Sequence, residues 1–167
     1  MIDTLAWLQA NAPQHPFRLR IVGPTLTRDD SVYAGELAET VQARGLAPWV
    51  SFEGPRPMSA LPAIYGSAFL HVNLSQTVSM DEAILESLAC GCPTLTSNAS
   101  VFPLLERFPA LTVRNPTPEA IGRQITHVSE HRHEYAPADL RGLVSGRHDI
   151  NSYVDRVCGI LSELVRN

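Results

Sequence analysis

Residues 79–97 read Ser79-Met-Asp-Glu-Ala-Ile-Leu-Glu-Ser-Leu-Ala-Cys-Gly-Cys-Pro-Thr-Leu-Thr-Ser97, a helix that passes straight into a strand. Ser79 followed three residues later by Glu82 has the form of a capping box, so the spacing predicts a helix starting there. Ile84, Leu85, Leu88 and Ala89 share one side of a wheel turned 100° per residue, with Glu86 opposite and Glu82 at the edge. Gly91 suits a left-handed exit and Pro93 cannot continue the helix. The cap accounts for Glu82. Glu86 lies a turn further in, four residues from a like charge, and is left free for another task.

Outward from this element, strands alternate with helices. On the N-terminal side the pattern predicts a helix over 2–10, a strand over Arg18–Gly23, and a helix starting at Thr27–Asp30 with a stripe of Tyr33, Leu37, Ala38 and Val41. A second strand follows at Trp49–Gly54, then a short helix capped by Ser59, and the apolar run Phe69–Asn73, which suits a strand covered on both faces. On the C-terminal side come a helical turn over 101–106 and a strand over Leu111–Arg114. Thr117-Pro118 opens a helix carrying Ile121, Ile125 and Val128, and a closing helix over 150–165 carries Val154, Val157, Leu161 and Leu164. This rhythm predicts one domain over residues 1–167, a Rossmann-like doubly wound parallel sheet with helices on both faces.

The 167 residues are 44% hydrophobic with a net charge of -4, enough for a folded core and without a basic stripe for nucleic acid. Apolar runs are too short to span a bilayer, and a cytoplasmic location is expected. Cys90, Cys92 and Cys158 form neither a disulfide framework nor a zinc pattern. His127, His131 and His133 lack an HExxH spacing and read as a solvated helix face, and no metal site is expected. The serines lack a G-x-S-x-G elbow, and neither G-x-G-x-x-G nor a P-loop occurs. What remains is a set of strand ends: Gly23, Gly54 with Arg56, Ser75 to Asp81, and Ser97 to Ser100. In a parallel sheet such ends share the carboxyl edge where ligands bind. Amides at the head of the 79–97 helix could hold a phosphate, with Asp81 and Glu82 competing for them and Arg56 supplying positive charge.

The succession Leu19-Arg-Ile-Val-Gly23, Val50-Ser-Phe-Glu-Gly54, Leu61-Pro-Ala-Ile-Tyr65 and Leu85-Glu-Ser-Leu-Ala-Cys-Gly-Cys-Pro93 resembles the nucleotide-sugar-binding half of group 1, GT-B fold glycosyltransferases, in register from residue 2 to about residue 105. The closing helix fits too. The resemblance implies a retaining transferase of hexosyl type that uses a nucleotide-diphosphate sugar and no other cofactor. Glu86 resembles the second glutamate of the family's E-x7-E pair, an acceptor for the donor's ribose hydroxyls. Ser79, Met80, Asp81 and Glu82 match the turn and helix start that face the donor's sugar and diphosphate. Gly54 to Arg56 match the loop beside the nucleobase, and Gly23 to Thr25 another loop lining the cleft.

Two departures accompany the match. Val78 stands where the first glutamate of the pair would fall, leaving the sugar contact vacant or passed to Asp81. The family's diphosphate-binding Arg and Lys, its first strand and its acceptor-binding domain lie ahead of the matched region. The chain is therefore expected to be the C-terminal part of a longer two-domain enzyme, inactive alone. The strands at Ile21 and Val72 are expected either to pair directly or to borrow a strand from another copy. A non-catalytic module acting through protein contacts is the competing class. A flavodoxin-like or response-regulator-like domain is disfavoured, because the first strand end carries no acidic pocket.

Overall fold

The computed structural model describes residues 1–75, 79–146 and 148–166, with side chains described to residue 164. The chain divides into two compact units, Met1–Leu61 with Asn115–Glu130, and Pro62–Arg114 with His131–Asn167.

Unit 1 begins with α1 (Ile2–Asn11), so residues 2–11 are helical and form no additional strand. β1 (Leu19–Val22) follows, then α2 (Arg28–Ala43). Thr27 caps α2: its hydroxyl accepts the Asp30 amide, and the Asp30 carboxylate accepts the Thr27 amide. Those backbone bonds hold the Asp30 carboxyl below the usual carboxylate range. Of the expected α2 stripe, Val41 is buried and Leu37 and Ala38 half-buried, whereas Tyr33 is exposed. After a 3-10 turn at Ala47–Trp49, β2 (Val50–Gly54) pairs parallel to β1, Leu19 opposite Val50 and Ile21 opposite Phe52.

The core of this unit gathers Ile2, Leu5, Val41 and Leu46, with Phe17, Leu19, Ile21, Trp49 and Val50 packed around them. α5 (Pro118–Glu130) returns to it after a long excursion. Thr117 caps α5 by accepting the Ala120 amide at 3.1 Å, and Pro118 occupies the first helical position. Ile121, Ile125 and Val128 are buried as their spacing implied. α5 packs on α1 at Gly122, where any Cβ would lie 2.3 Å from the Trp7 ring. Only glycine lets the two helices come this close.

Unit 2 holds most of α3 (Leu61–Ser67), β3 (His71–Asn73), α4 (Glu82–Ala89), β4 (Thr94–Thr96), α6 (Pro137–Val144) and α7 (Ile150–Arg166). Ser59 does not cap α3; it sits inside the preceding 3-10 turn, Met58–Ala60. β3 and β4 run parallel, His71 opposite Thr94 and Asn73 opposite Thr96. The expected strand at Leu111–Arg114 is reduced to one parallel bridge, Thr96 to Thr112, because a 3-10 turn at Pro109–Leu111 takes up the residues before it. α6 was not expected from the sequence; Pro137 starts it, and Leu140 and Val144 are buried.

The described strands thus form two parallel ladders, β1 with β2 and β3 with β4. The strands at Ile21 and Val72 do not pair with each other. Each finds its described partner in the strand that follows it across a helical crossover.

In unit 2, α4 buries Ile84, Ser87 and Leu88 and leaves Ala89 exposed. The buried stripe is therefore rotated from the expected one. Ser87 is accommodated because its hydroxyl donates to the Cys92 carbonyl at 3.2 Å. Gly91 ends the helix at φ +75°, and a Cβ there would also meet Pro137 at 2.7 Å, so α4 and α6 are close-packed at that turn. Cys92 is buried, and burial pushes its thiol up. Cys90 is half-buried and Cys158 exposed, all three free.

Candidate functional site

The residues singled out from the sequence fall into two clusters, one in each unit. In unit 2, α4 begins at Glu82 and its cap is Asp81, not Ser79. Asp81 Oδ1 accepts the Ala83 amide at 3.0 Å, while Oδ2 accepts Asn73 Nδ2 at 2.9 Å and the Ser75 hydroxyl at 3.3 Å. Asn73 Oδ1 in turn accepts the Ser75 amide and hydroxyl, at 3.1 and 2.8 Å. The end of β3 is thereby tied to the head of α4. Asp81 spends its acceptors on this latch and on one of the four amides that a helix start leaves unpaired. The Ala83 amide, one of those expected to face a ligand, is taken by Asp81.

Ser79 is displaced from the cap by a buried asparagine. Asn98, fully buried, donates from Nδ2 to the Ser79 carbonyl at 2.9 Å, and its Oδ1 accepts the Ser100 amide at 3.0 Å. The Asn98 amide is fixed on the Thr96 hydroxyl at 3.0 Å. Ser97 joins the same edge, its amide donating to the Asn73 carbonyl at 3.2 Å. Ser75, Ser79, Asp81, Ser97 and Asn98 therefore converge at the carboxyl ends of β3 and β4. Ser79, Met80 and Glu82 are exposed there.

Glu86 lies one turn down α4 from Glu82 and is half-buried. Among the described residues, the hydrogen bond given to its carboxylate comes from the Tyr65 hydroxyl, at 3.5 Å to Oε2. That length is at the limit of a hydrogen bond, so the carboxylate is lightly held. Burial first, and then the charge of Glu86, push the Tyr65 hydroxyl up to about 12, so it stays a proton donor. Tyr65 meets His71 edge to face, ring centroids 5.4 Å apart, and His71 Nδ1 lies 3.3 Å from the Thr94 hydroxyl. Burial lowers His71 to about 4, against the pull of Asp81. A neutral imidazole and a neutral phenol thus stand behind one carboxylate.

In unit 1 the cluster sits at the ends of β1 and β2. The Gly23 amide donates to the Gly54 carbonyl at 3.0 Å, so these two strand ends are joined. Gly54 adopts φ +66°, a conformation that favours glycine, and turns the chain toward Arg56. Arg56 Nη2 donates to Glu53 Oε2 at 3.2 Å, and Arg20 grips the same carboxylate through Nε and through Nη2, the latter at 3.1 Å. Arg20 lowers the Glu53 carboxyl more than Arg56 does. Two guanidiniums thus share one carboxylate at this strand end, and Thr25 is exposed beside it.

Tyr65, His71, Asn73 and Arg20 have no role in the reading of the sequence, and Asn98 enters it only as part of the Ser97 to Ser100 strand end. The signal for Asn73 was there: a polar residue closing an apolar strand. Tyr65 closes one of the quoted motifs. Val78 lies outside the described residues. Among the described residues no three His, Cys, Asp or Glu side chains gather as metal ligands, and no helix is long and apolar enough to cross a membrane.

A family profile described as "Glycosyl transferases group 1" matches residues 1–131, most of the chain. The chain belongs to the group 1 glycosyl transferases. A mannosylfructose-phosphate synthase of Agrobacterium fabrum is 28% identical over 97 residues, 58% of this chain and 21% of that relative. Among solved structures, Anabaena HepE in complex with UDP superposes on 97% of this chain with a TM-score of 0.82 at 21% identity, using 44% of its own length. HepE in complex with UDP and glucose gives the same TM-score at 22% identity, over 43% of that chain. At these identities the superposition establishes the fold, the parallel α/β class of GT-B glycosyltransferases. This group 1 chain spans less than half the length of HepE and about a fifth of the synthase.

Proposed function

We infer that residues 1–167 are one domain, the C-terminal, donor-binding part of a longer two-domain glycosyltransferase. The enzyme moves a hexosyl group from a nucleotide-diphosphate sugar to an acceptor held by the other domain, with retention of configuration. The ladder edges that β1 and β3 leave are assigned to a strand from elsewhere in the longer protein or from another copy. Glu86 carries this reading: a half-buried carboxylate near a strand-to-helix edge, backed by the long hydrogen bond from Tyr65. A carboxylate held so lightly has acceptor sites left for a vicinal diol, and the ribose of a nucleoside diphosphate offers one. The amides at the head of α4 favour the diphosphate through the helix dipole. HepE, a protein of the same fold, has been solved with UDP, which makes a uridine donor the first to test.

In this reading Asp81 and Asn98 are positioning residues that hold the turn before α4, and Glu86 binds the ligand. Titration calorimetry of the chain with UDP, GDP and UDP-glucose tests it. Binding in the high micromolar to millimolar range is expected, without turnover. Glu86→Gln should weaken it about tenfold or more, since a hydrogen bond to a charged acceptor contributes roughly 1.5–3 kcal/mol. Nucleotide binding that is unchanged in Glu86→Gln would refute the assignment.

A further inference from the structure

Glu86 is fixed through its backbone and left loose at its tip. The latch of Asp81, Asn73 and Ser75 holds the head of α4, and Ile84, Ser87 and Leu88 are buried along it. The carboxylate stands at the end of a flexible stem. Among the described residues no cationic side chain pairs with it, and the hydrogen bond it receives comes from the Tyr65 hydroxyl. Tyr65, by contrast, is well held. Its carbonyl accepts the Ala68 amide at 3.0 Å, Cys92 Sγ donates to the Ala68 carbonyl at 3.7 Å, and the His71 amide donates to the Pro93 carbonyl at 2.9 Å. The turn from α3 into β3 is thereby tied to the turn from α4 into β4. The Tyr65 ring is half-buried and meets His71 edge to face.

We propose that Tyr65 is a positioning residue for nucleotide binding: its hydroxyl pins Glu86 Oε2 and leaves Oε1 to receive the vicinal diol of the donor's ribose. The proposal rests on the donor-binding reading of Glu86 and adds the residue that sets the direction of its carboxylate. A neutral phenol suits this task better than a cation. An arginine would grip both oxygens in a fork and leave the diol a spent acceptor. A phenol gives one bond to one oxygen. A carboxylate offers about four acceptor positions, so about three stay open to the diol.

The length of the bond, 3.5 Å, agrees with this role, since the hydrogen bonds of functional sites often tighten only in the complex. The phenol also keeps its proton to give, because burial and the charge of Glu86 push it up to about 12. A tyrosine that served packing alone would bring its ring to His71 just as well without the hydroxyl. The two roles differ in one measurable respect. A residue that acts through Glu86 affects only ligands that carry the diol, and its loss adds nothing once Glu86 has been replaced.

Titration of the isotope-labelled full 167-residue chain, followed by amide chemical shifts, reads both weak binding and the integrity of the fold. The probes are UDP and GDP, each beside its 2′,3′-dideoxy form. Tyr65→Phe should weaken the preferred nucleotide about fivefold, the net effect of one hydrogen bond, and should change the dideoxy form less than about twofold. Tyr65→Phe/Glu86→Gln should bind no more weakly than Glu86→Gln alone. A 3-fluorotyrosine at position 65, a stronger donor of nearly the same shape, should bind at least as tightly as the parent and keeps the test open were the phenylalanine variant to misfold. If Glu86→Gln weakens binding and Tyr65→Phe does not, the role of Tyr65 is refuted and the donor reading stands. If the parent binds neither nucleotide, or Glu86→Gln binds as the parent does, the donor reading falls and this proposal with it. Equal weakening of the nucleotide and its dideoxy form, additive losses in the double variant, or weaker binding by the fluorinated chain would also overturn it, the first two marking a direct contact or a general packing role.

Discussion

His71 gives the most quantitative expectation. It sits between the Tyr65 ring and the Thr94 hydroxyl, and burial lowers it from 6.5 to about 4. Protonation is therefore resisted in the folded chain and free in the unfolded one. Above pH 6.5 the residue is neutral in both states and contributes no pH dependence. As pH falls below 6.5 the unfolded state gains a proton that the folded state refuses, so stability is lost, and the loss levels off below about 4. At pH 5 the proton favours the unfolded chain by roughly 30-fold and the folded chain hardly at all, a loss of about 2 kcal/mol relative to pH 7.5. Replacing the ring by an amide of similar reach, His71→Gln, removes the titration. Every other histidine is common to both proteins and cancels in the difference. Urea denaturation at pH 7.5 and pH 5 should therefore show the parent losing about 2 kcal/mol more than His71→Gln over that interval. Far-UV circular dichroism is the suitable signal, because both tryptophans, Trp7 and Trp49, belong to unit 1 and report poorly on His71. If parent and variant lose stability equally, His71 takes its proton in place and the reasoning from burial is wrong.

Two other substitutions discriminate between local and tertiary causes. Gly122→Ala should gain about 1 kcal/mol of helix propensity yet lose more to the Trp7 ring, for a net destabilisation of about 1–3 kcal/mol and a shift in Trp7 emission; a stabilised variant with unchanged emission would show that the ring yields freely. Asp81→Ala should cost about 1 kcal/mol or more by uncapping α4 and freeing Asn73, whereas Asp81→Asn should keep most of it, both read by thermal denaturation; equal losses would mean that charge, not hydrogen bonding, fixes the turn.

Elements stabilised by their own neighbours were legible in the sequence. The Thr27–Asp30 box and the Thr117-Pro118 start are contacts across three residues, and both appear where they were expected. The head of α4 was misplaced by two residues because its determinants are distant. Asn98 takes the Ser79 carbonyl from nineteen residues away, and Asn73 and Ser75 fix the Asp81 carboxylate, so Asp81 caps the helix. α6 is not legible in the sequence because eight residues with two buried side chains give little periodicity. Glu86 stood out by having no local task, and among the described residues its hydrogen bond is the long one from Tyr65. The phenol and imidazole behind it were invisible, since the Tyr65–Glu86 contact spans 21 residues and a loop.

The return of α5 to α1 has a bearing on how the chain is made. Unit 1 consists of Met1–Leu61 and Asn115–Glu130, and unit 2 of Pro62–Arg114 and His131–Asn167. The polypeptide thus crosses from one to the other three times. A growing chain cannot close the Trp7–Gly122 contact until more than a hundred further residues have been synthesised, so α1 must wait with its Trp7 face uncovered. Neither half can be cut out as a continuous segment and keep its packing. Deletions that stop at Leu61 or Arg114 would remove α5 and leave an apolar helix open to association while the rest emerges from the ribosome.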